Sequence, residues 1–326
     1  MTSTASIQSI LDPISKDMQL VDSSIRRALS SEVPLISAIG SYIVGAGGKR
    51  LRPALLLLVA RAHGYGGEHL HDLAAVVEMI HTATLLHDDV VDESELRRGR
   101  QTSNAAYGNA ASVLSGDFLY SRSFQMMVAA GNLRILRILA DATNVIAEGE
   151  VLQLMNMHDP ELTVEQYMRV IHDKTATLFE AAARIGAVLA GCDADAEQRA
   201  AGYGRAVGMA FQLIDDALDY NGDAGQMGKN IGDDLREGKP TLPLIVAMQR
   251  SDAAQRELIV QAIRDGNTEQ LPRILEIVAD CAALDEVYAQ AHGQLQQARG
   301  LAEAMPAGAY RRALIELCDY SLQRNA

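Results

Sequence analysis

"LLHDDVVDESELRRG", Leu85 to Gly99, sets three aspartates and two arginines against an aliphatic lead-in. Carboxylates seldom interrupt a core-facing segment unless something positive compensates them. The run is therefore either a solvated edge or a place that holds metal. A second stretch, "LIDDALD" (Leu213–Asp219), repeats the arrangement of "LHDDVVD" (Leu86–Asp92): Asp-Asp, two apolar residues, then Asp. On a helix, positions i and i+4 project from one face. Asp88 with Asp92, and Asp215 with Asp219, would each form a carboxylate pair one turn apart, and such like charges repel unless a cation joins them. Two such helices facing each other would hold hard divalent ions with water-filled positions to spare. Mg²⁺ suits that chemistry, because it keeps waters and shares one or two carboxylates with substrate phosphates. A lone DDxxD is commonly a solvated helix end. Two copies, both inside apolar helical sequence, point to metal.

The rest of the chain reads as helix. Ala, Leu, Ile, Met, Glu, Gln and Arg dominate its 326 residues, and alternating strand-like runs are scarce. Helices are predicted over roughly 70–92, 110–130, 196–222, 252–264 and 282–304. A further one after Pro160 opens on the capping-box pair Thr163 and Gln166. No low-complexity linker or break in composition divides the chain. The expectation is one all-α domain over residues 1–326, with ten or more helices.

Composition excludes several classes of function. No apolar run approaches the ~18 residues that span a bilayer. The N-terminus lacks the basic and apolar regions of a secretory signal. Three cysteines, Cys192, Cys281 and Cys318, are odd in number and far apart, which fits neither a disulfide framework nor a zinc set. A cytoplasmic location is expected. A net charge of −13 argues against nucleic acid as a partner. It leaves room for an anionic small substrate held by local cations.

Those cations are present. "GAGGKRLRP" carries Lys49, Arg50 and Arg52 in a glycine-rich turn ahead of a helix, where backbone N–H groups add to the attraction for phosphate. It is not a P-loop, which would need Gly at Ile43 and Ser or Thr at Arg50. Arg97 and Arg98 follow the first acidic motif directly, and their planar forks suit phosphate oxygens. Lys174 and Thr175 lie in "IHDKTATL", in mid-helix. After the second motif, "YNGDAGQMGKNIGDDLREGKPTLP" brings Lys229, Arg236 and Lys239 in a glycine-rich loop able to close over a diphosphate.

Together, "GGKRLRP", "IHTATLLHDDVVDESELRRG", "DKTA", "FQLIDDALDY" and "GKNIGDDLREGKPTLPL" resemble the trans-prenyl diphosphate synthase family. The similarity runs from about residue 30 to the C-terminus. The stretch around the first motif, continued by "NAAYGNAASVLSGDFLYSRSFQMM", is most similar to the long-chain bacterial members that make octaprenyl and solanesyl diphosphates. The resemblance implies a multi-helix bundle around a deep central cavity. The implied activity is repeated addition of isopentenyl diphosphate to an allylic diphosphate such as farnesyl diphosphate, for a quinone side chain. It implies Mg²⁺ as cofactor, three ions with substrate bound, held by Asp88, Asp92 and Asp215 with Asp89, Asp216 and Asp219 in support. Arg97, Lys174, Thr175, Gln212, Lys229 and Lys239 would face the allylic diphosphate. Lys49, Arg52, His81 and Arg98 would hold isopentenyl diphosphate. The catalytic set would be Asp88, Asp92, Asp215, Lys174 and Arg97. Chain length would be set just below the metal face, where Ala83 and Thr84 are small and leave a tunnel open. Its floor would lie near Phe124, Met126 and Met127. A homodimer, with transient membrane contact for product release, completes the expectation.

Other classes fit less well. A terpene cyclase shelters cations with aromatic faces, whereas this chain has no Trp and only 4% aromatic residues. A di-iron carboxylate bundle could use Glu78 with His81, but the other ExxH pair, Glu68 with His71, is too near to come from an opposing helix. A metal-dependent phosphohydrolase read from His87-Asp88 leaves the second DDxxD unexplained. An inactive partner subunit would lack one acidic motif, and both are intact.

Overall fold

The computed structural model describes residues 6–45, 47–97, 99–221 and 231–323. In chain order the helices are α1 (Ile7–Leu11), α2 (Ser15–Ala28), α3 (Pro34–Gly45), α4 (Leu51–Ala62), α5 (Leu70–Val91), α6 (Ser103–Tyr107), α7 (Asn109–Ala129) and α8 (Leu133–Asn156). There follow α9 (Val164–Ile171), α10 (Thr177–Leu189), α11 (Ala194–Leu218), α12 (Asp233–Arg236), α13 (Leu242–Arg250), α14 (Ala253–Asp265), α15 (Leu271–Asp280), α16 (Ala283–Glu303) and α17 (Ala309–Gln323). A 3₁₀ turn occupies Asp12–Ile14, and a π turn at His172–Ala176 joins α9 to α10. Among the described residues the only ladder is a short antiparallel pair, β1 (Leu96–Arg97) with β2 (Arg100–Gln101). The all-α expectation holds, and the predicted helix over 70–92 is α5 to within a residue.

The chain divides into two compact units. The first takes the described residues within 1–143, 178–204 and 298–320. Its centre is α4, where every residue from Pro53 to Ala60 is buried. A helix apolar on all sides has to be surrounded, and α2 and α5 pack on it. A third neighbour is α10, held at close range by Gly186. A Cβ there would lie 2.6 Å from the Leu56 carbonyl oxygen and 3.0 Å from the Ala60 nitrogen, so backbone meets backbone. The long helix α5 also packs along α7. The second unit takes the described residues within 144–177, 205–297 and 321–323. Its core draws on the apolar faces of α9, α13, α14 and α15. The capping box at Thr163 and Gln166 forms as predicted, with Gln166 N–H 3.2 Å from Thr163 Oγ1 and Thr163 N–H 2.9 Å from Gln166 Oε1. No helix among the described residues is long and apolar enough to cross a membrane.

One buried charge cluster ties three helices of the first unit. Asp17 on α2, 7% exposed, accepts from Arg61 on α4 at 3.0 Å and 2.5 Å and from His71 on α5 at 2.9 Å. Burial alone would push the Asp17 carboxyl up. The hydrogen bonds and charges of Arg61 and His71 outweigh burial and hold it below the usual carboxylate value. A depressed carboxylate contributes stability above its unfolded pKa and loses it as pH falls through the folded value. Asp17→Asn should therefore lower unfolding free energy by roughly 3 kcal/mol at pH 7, as for other broken buried pairs. Urea unfolding across pH should show that deficit shrinking on acidification below about pH 4, where the wild-type carboxyl takes up its proton.

Candidate active site

In the first unit, Asp88 and Asp92 stand one turn apart at the end of α5, with the Asp92 N–H donating to the Asp88 carbonyl at 2.8 Å. Both are half-exposed. Asp89 between them is 4% exposed and pairs with Arg97 through Nε at 2.8 Å and Nη2 at 2.7 Å. Sequence patterning did not foresee strands here, yet the β1–β2 hairpin is what brings Arg97 back onto Asp89. Its register sets Leu96 opposite Gln101 and Arg97 opposite Arg100, across a turn with Gly99 at φ 73°. Burial opposes the Arg97 charge, but Asp89, followed by Asp88 and Asp92, offsets it and raises the pKa above the ordinary arginine value.

The chain leaves α5 through Glu93, whose φ of 50° is a left-handed conformation that a non-glycine residue seldom adopts. Side chains staple that exit. Asn104 Nδ2 donates to the carbonyls of Asp89 at 3.0 Å and Ser94 at 3.1 Å, and Thr102 Oγ1 donates to Ser94 at 2.6 Å. Strain of this kind persists only where the surroundings over-determine it, and it sits beside the first acidic motif.

The basic turn ahead of α4 is also left-handed, with Gly47 at φ 70° and Arg50 at φ 46°. Its three cations have separate surroundings. Arg50 pairs with Asp22 on α2. Lys49 is exposed and lies 5.6 Å from the Tyr320 ring centroid, and the Arg52 guanidinium lies 4.3 Å from that of Phe179. Both cations rest on aromatic faces, and the orphan N–H groups of α4 add positive potential at the same end. Further along α5, His81 is half-buried and accepts at its carbonyl from Thr84 Oγ1 at 2.8 Å. A cleft within this unit is lined by His81, Leu85 and Asp89 of α5, Tyr42 of α3, Phe118 of α7 and Arg97. Ala83, Thr84, Met126 and Met127 are not among its walls. Ala83 and Met127 are buried, Thr84 and Met126 half-buried, and Phe124 is 39% exposed. Arg98 and Lys229 lie outside the described residues.

In the second unit the aspartates of the repeated motif divide their tasks differently. Asp215 is half-exposed, while Asp216 and Asp219 are 4% and 8% exposed. Asp219 takes the first two N–H groups of α12, Asp233 at 3.3 Å and Asp234 at 3.1 Å, and its carbonyl accepts from Gly232 at 3.1 Å. A carboxylate expected to pair with Asp215 instead anchors the "GDDL" segment, because an anion at a helix N-terminus satisfies donors that nothing else would. Asp216 accepts from Tyr167 Oη at 2.6 Å and from Gln212 Nε2 at 2.7 Å. Burial first, then the charge of Asp234, pushes its carboxyl up to about 8 against those two hydrogen bonds. Tyr167 is itself raised well above the ordinary tyrosine value, by burial and by Asp216.

Lys174 and Thr175 occupy the π turn, and such turns recur at functional sites. Gly149 on α8 makes room for it, since a Cβ there would lie 2.8 Å from the Lys174 nitrogen. The Lys174 ammonium contacts Glu150 at 2.6 Å and Gln153 at 2.6 Å, and Thr175 Oγ1 donates to Gln212 Oε1 at 2.9 Å. Lys239, 9% exposed, pairs with Glu237 at 2.5 Å, and its N–H donates to the Asp234 carbonyl at 2.8 Å. Glu150, Gln153, Tyr167 and Asp234 were not singled out from sequence. Asp234 carried a signal, the third Asp-Asp pair, whereas Tyr167 has the spacing of ordinary core. Among the described residues, no three acid, histidine or cysteine side chains gather tightly enough to hold an ion by themselves. The donors come as hard carboxylate oxygens in small groups. That set fits a Mg²⁺ ion that keeps its remaining positions for water and phosphate.

Comparison with known proteins agrees with this architecture. The polyprenyl synthetase family pattern matches residues 33–280. An octaprenyl diphosphate synthase of Escherichia coli is 51% identical over 320 residues, covering 98% of this chain and 99% of its own. An all-trans-nonaprenyl-diphosphate synthase (geranyl-diphosphate specific) of Rhodobacter capsulatus is 47% identical, covering 97% and 98%. A polyprenyl synthase of Caulobacter crescentus, crystallised in complex with calcium and isoprenyl diphosphate, superposes with a TM-score of 0.95 at 44% identity over 100% of both chains. This chain belongs to the polyprenyl synthetase family, as a prenyltransferase of the long-chain trans-polyprenyl diphosphate synthase type.

Proposed function

We propose that the chain extends an allylic diphosphate such as farnesyl diphosphate with successive units of isopentenyl diphosphate. The product would be octaprenyl or nonaprenyl diphosphate, destined for a quinone side chain. The observation that carries this reading is the division of labour within each acidic motif. Asp88, Asp92 and Asp215 are half-exposed, while Asp89, Asp216 and Asp219 are buried in internal hydrogen bonds and ion pairs. The exposed carboxylates are assigned to magnesium, three ions with substrate bound, and the buried ones to holding them in place. Bound magnesium supplies charge stabilisation for the diphosphate as it departs.

The chain's own residues do the rest. Arg97, Lys174, Thr175, Gln212, Lys229 and Lys239 are assigned to the allylic diphosphate, where preorganised donors stabilise the charge that develops as its C–O bond breaks. Lys49, Arg52, His81 and Arg98 are assigned to isopentenyl diphosphate, positioning its double bond to attack the allylic cation. A proton then leaves the new carbon chain, and the released diphosphate is its acceptor. Apolar walls exclude the water that would quench the cation. Residues 1–326 act as one catalytic domain in the cytoplasm, and the apolar product leaves through transient contact with a bilayer.

A homodimer fits the surface of the first unit. Leu114 and Val128 on α7 are 66% and 65% exposed, Phe124 is 39% exposed, and all three lie on one side of that helix. Aliphatic and aromatic side chains grouped this way mark an association surface.

Incubating the protein with farnesyl diphosphate, isopentenyl diphosphate and Mg²⁺, then analysing the dephosphorylated products by reverse phase, tests the central reading. Octaprenyl or nonaprenyl product is expected, and elongation that stops at geranylgeranyl length, or no elongation of the farnesyl primer at all, would overturn it. Asp88→Asn and Asp215→Asn should each reduce kcat by roughly 10²–10³-fold, the scale seen when one preorganised charge-stabilising group is lost. Ala83→Tyr should shorten the product if the tail passes this face of α5. An unchanged length distribution, with a melting curve showing the variant folded, would refute that direction. Leu114→Glu with Val128→Glu should convert the dimer to monomer in light scattering coupled to gel filtration.

A further inference from the structure

The second unit contains a residue that nothing above assigns to the reaction and that sequence marks only as core. Tyr167 lies on the buried stripe of α9 with Val170 and Ile171, spaced as an ordinary amphipathic helix would space them. It is 3% exposed, yet its hydroxyl makes a 2.6 Å hydrogen bond to Asp216 Oδ2. The other oxygen, Asp216 Oδ1, accepts from Gln212 Nε2 at 2.7 Å, and Gln212 Oε1 accepts from Thr175 Oγ1 at 2.9 Å. Four side chains thus form one chain from Tyr167 through Asp216 and Gln212 to Thr175. Its two ends stand on α9 and on the π turn directly following it, and its middle on α11.

The order of donors matters. Thr175 donates to the amide oxygen of Gln212, which fixes which way the amide faces, and the amide nitrogen then donates to Asp216. Tyr167 closes the chain from the far side, so both Asp216 oxygens are engaged and the carboxylate is held at a single orientation. Asp215 is the next residue back on α11, and Lys174 precedes Thr175 in the π turn. One hydrogen-bond chain therefore links α11, which carries Asp215, to the turn that carries Lys174. Side chains that support a ligand or a catalytic group in this way are worth roughly 10–100-fold in affinity or activity elsewhere.

We infer that Tyr167 is a positioning residue for the prenyl transfer, acting through Asp216 and Gln212 to hold Asp215 and the Lys174–Thr175 turn in register. This rests on the functional reading above. Tyr167→Phe keeps the ring and its packing and removes only the hydroxyl. With farnesyl diphosphate as primer, it should lower kcat about 10-fold or more and raise the Mg²⁺ concentration needed for half-maximal rate several-fold. The KM for isopentenyl diphosphate should not change. A purely structural role would lower the melting temperature and leave kcat at saturating Mg²⁺ and the Mg²⁺ requirement alone, and that result overturns the inference. The companion variant Thr175→Val tests the chain as a unit. Combined with Tyr167→Phe, it should cost less than the product of the two single losses, because either one already breaks the chain that holds Asp216 and Gln212 in a fixed orientation. Strictly multiplicative losses would overturn the coupling. Wild-type protein that makes no polyprenyl product fails the functional reading itself, whereas active wild type with an indistinguishable Tyr167→Phe fails only the role given to Tyr167.

Discussion

Carboxylates on adjacent turns of one helix repel each other, and burying any of them without a partner costs several kcal/mol. This chain contains two such groups, each rooted in apolar helix, and both are organised by the same compromise. In each motif the middle carboxylate turns inward and is neutralised or hydrogen-bonded by the protein, Asp89 by Arg97 and Asp216 by Tyr167 and Gln212. With that member pinned, Asp88 and Asp92 of the first motif and Asp215 of the second are left half-exposed, whereas Asp219 is buried against the start of α12. The buried aspartates are thus a condition for the exposed ones to be useful.

The two motifs look alike in sequence but are stabilised by different means. The first is steadied by a hairpin that returns an arginine to it and by Asn104 and Thr102, which donate to the carbonyls of Asp89 and Ser94 around the exit from α5. The partner of Asp89 there is a charged one, Arg97. The second is steadied by neutral donors, and there the carboxyl of Asp216 rises to about 8 under burial and the charge of Asp234. Its third aspartate is spent on the N–H groups of α12, which draws Asp233 and Asp234 towards the motif. The acidity of the second unit is therefore denser than the DDxxD pattern alone suggests.

What could be read from the chain beforehand follows from the range of the interactions involved. Helices such as α5, α7, α14 and α16 declare themselves through composition, periodicity and caps, all of which are local. The half-exposed aspartates were legible because a carboxylate in an apolar run is anomalous within a few residues. The β1–β2 hairpin was not, since its two-residue strands carry no alternation and exist to carry Arg97 to Asp89. The π turn at His172–Ala176 was hidden as well. It depends on Gly149, more than twenty positions away, leaving space where any Cβ would collide. Glu150 and Gln153 gain meaning only once that turn has brought the Lys174 ammonium to them.

Tyr167 shows where this kind of reading stops. Its position on the inner stripe of α9 is fully explained by hydrophobic patterning, and a phenylalanine would satisfy the same pattern. The hydroxyl is the part that pattern cannot account for. A buried O–H must find an acceptor or forfeit its hydration, and the acceptor it finds is a carboxylate adjacent to the motif's exposed aspartate. In a chain only 4% aromatic, a polar atom carried into the core by a ring is costly unless it is bonded. The bond it makes joins the packing of the second unit to the geometry of its acidic motif.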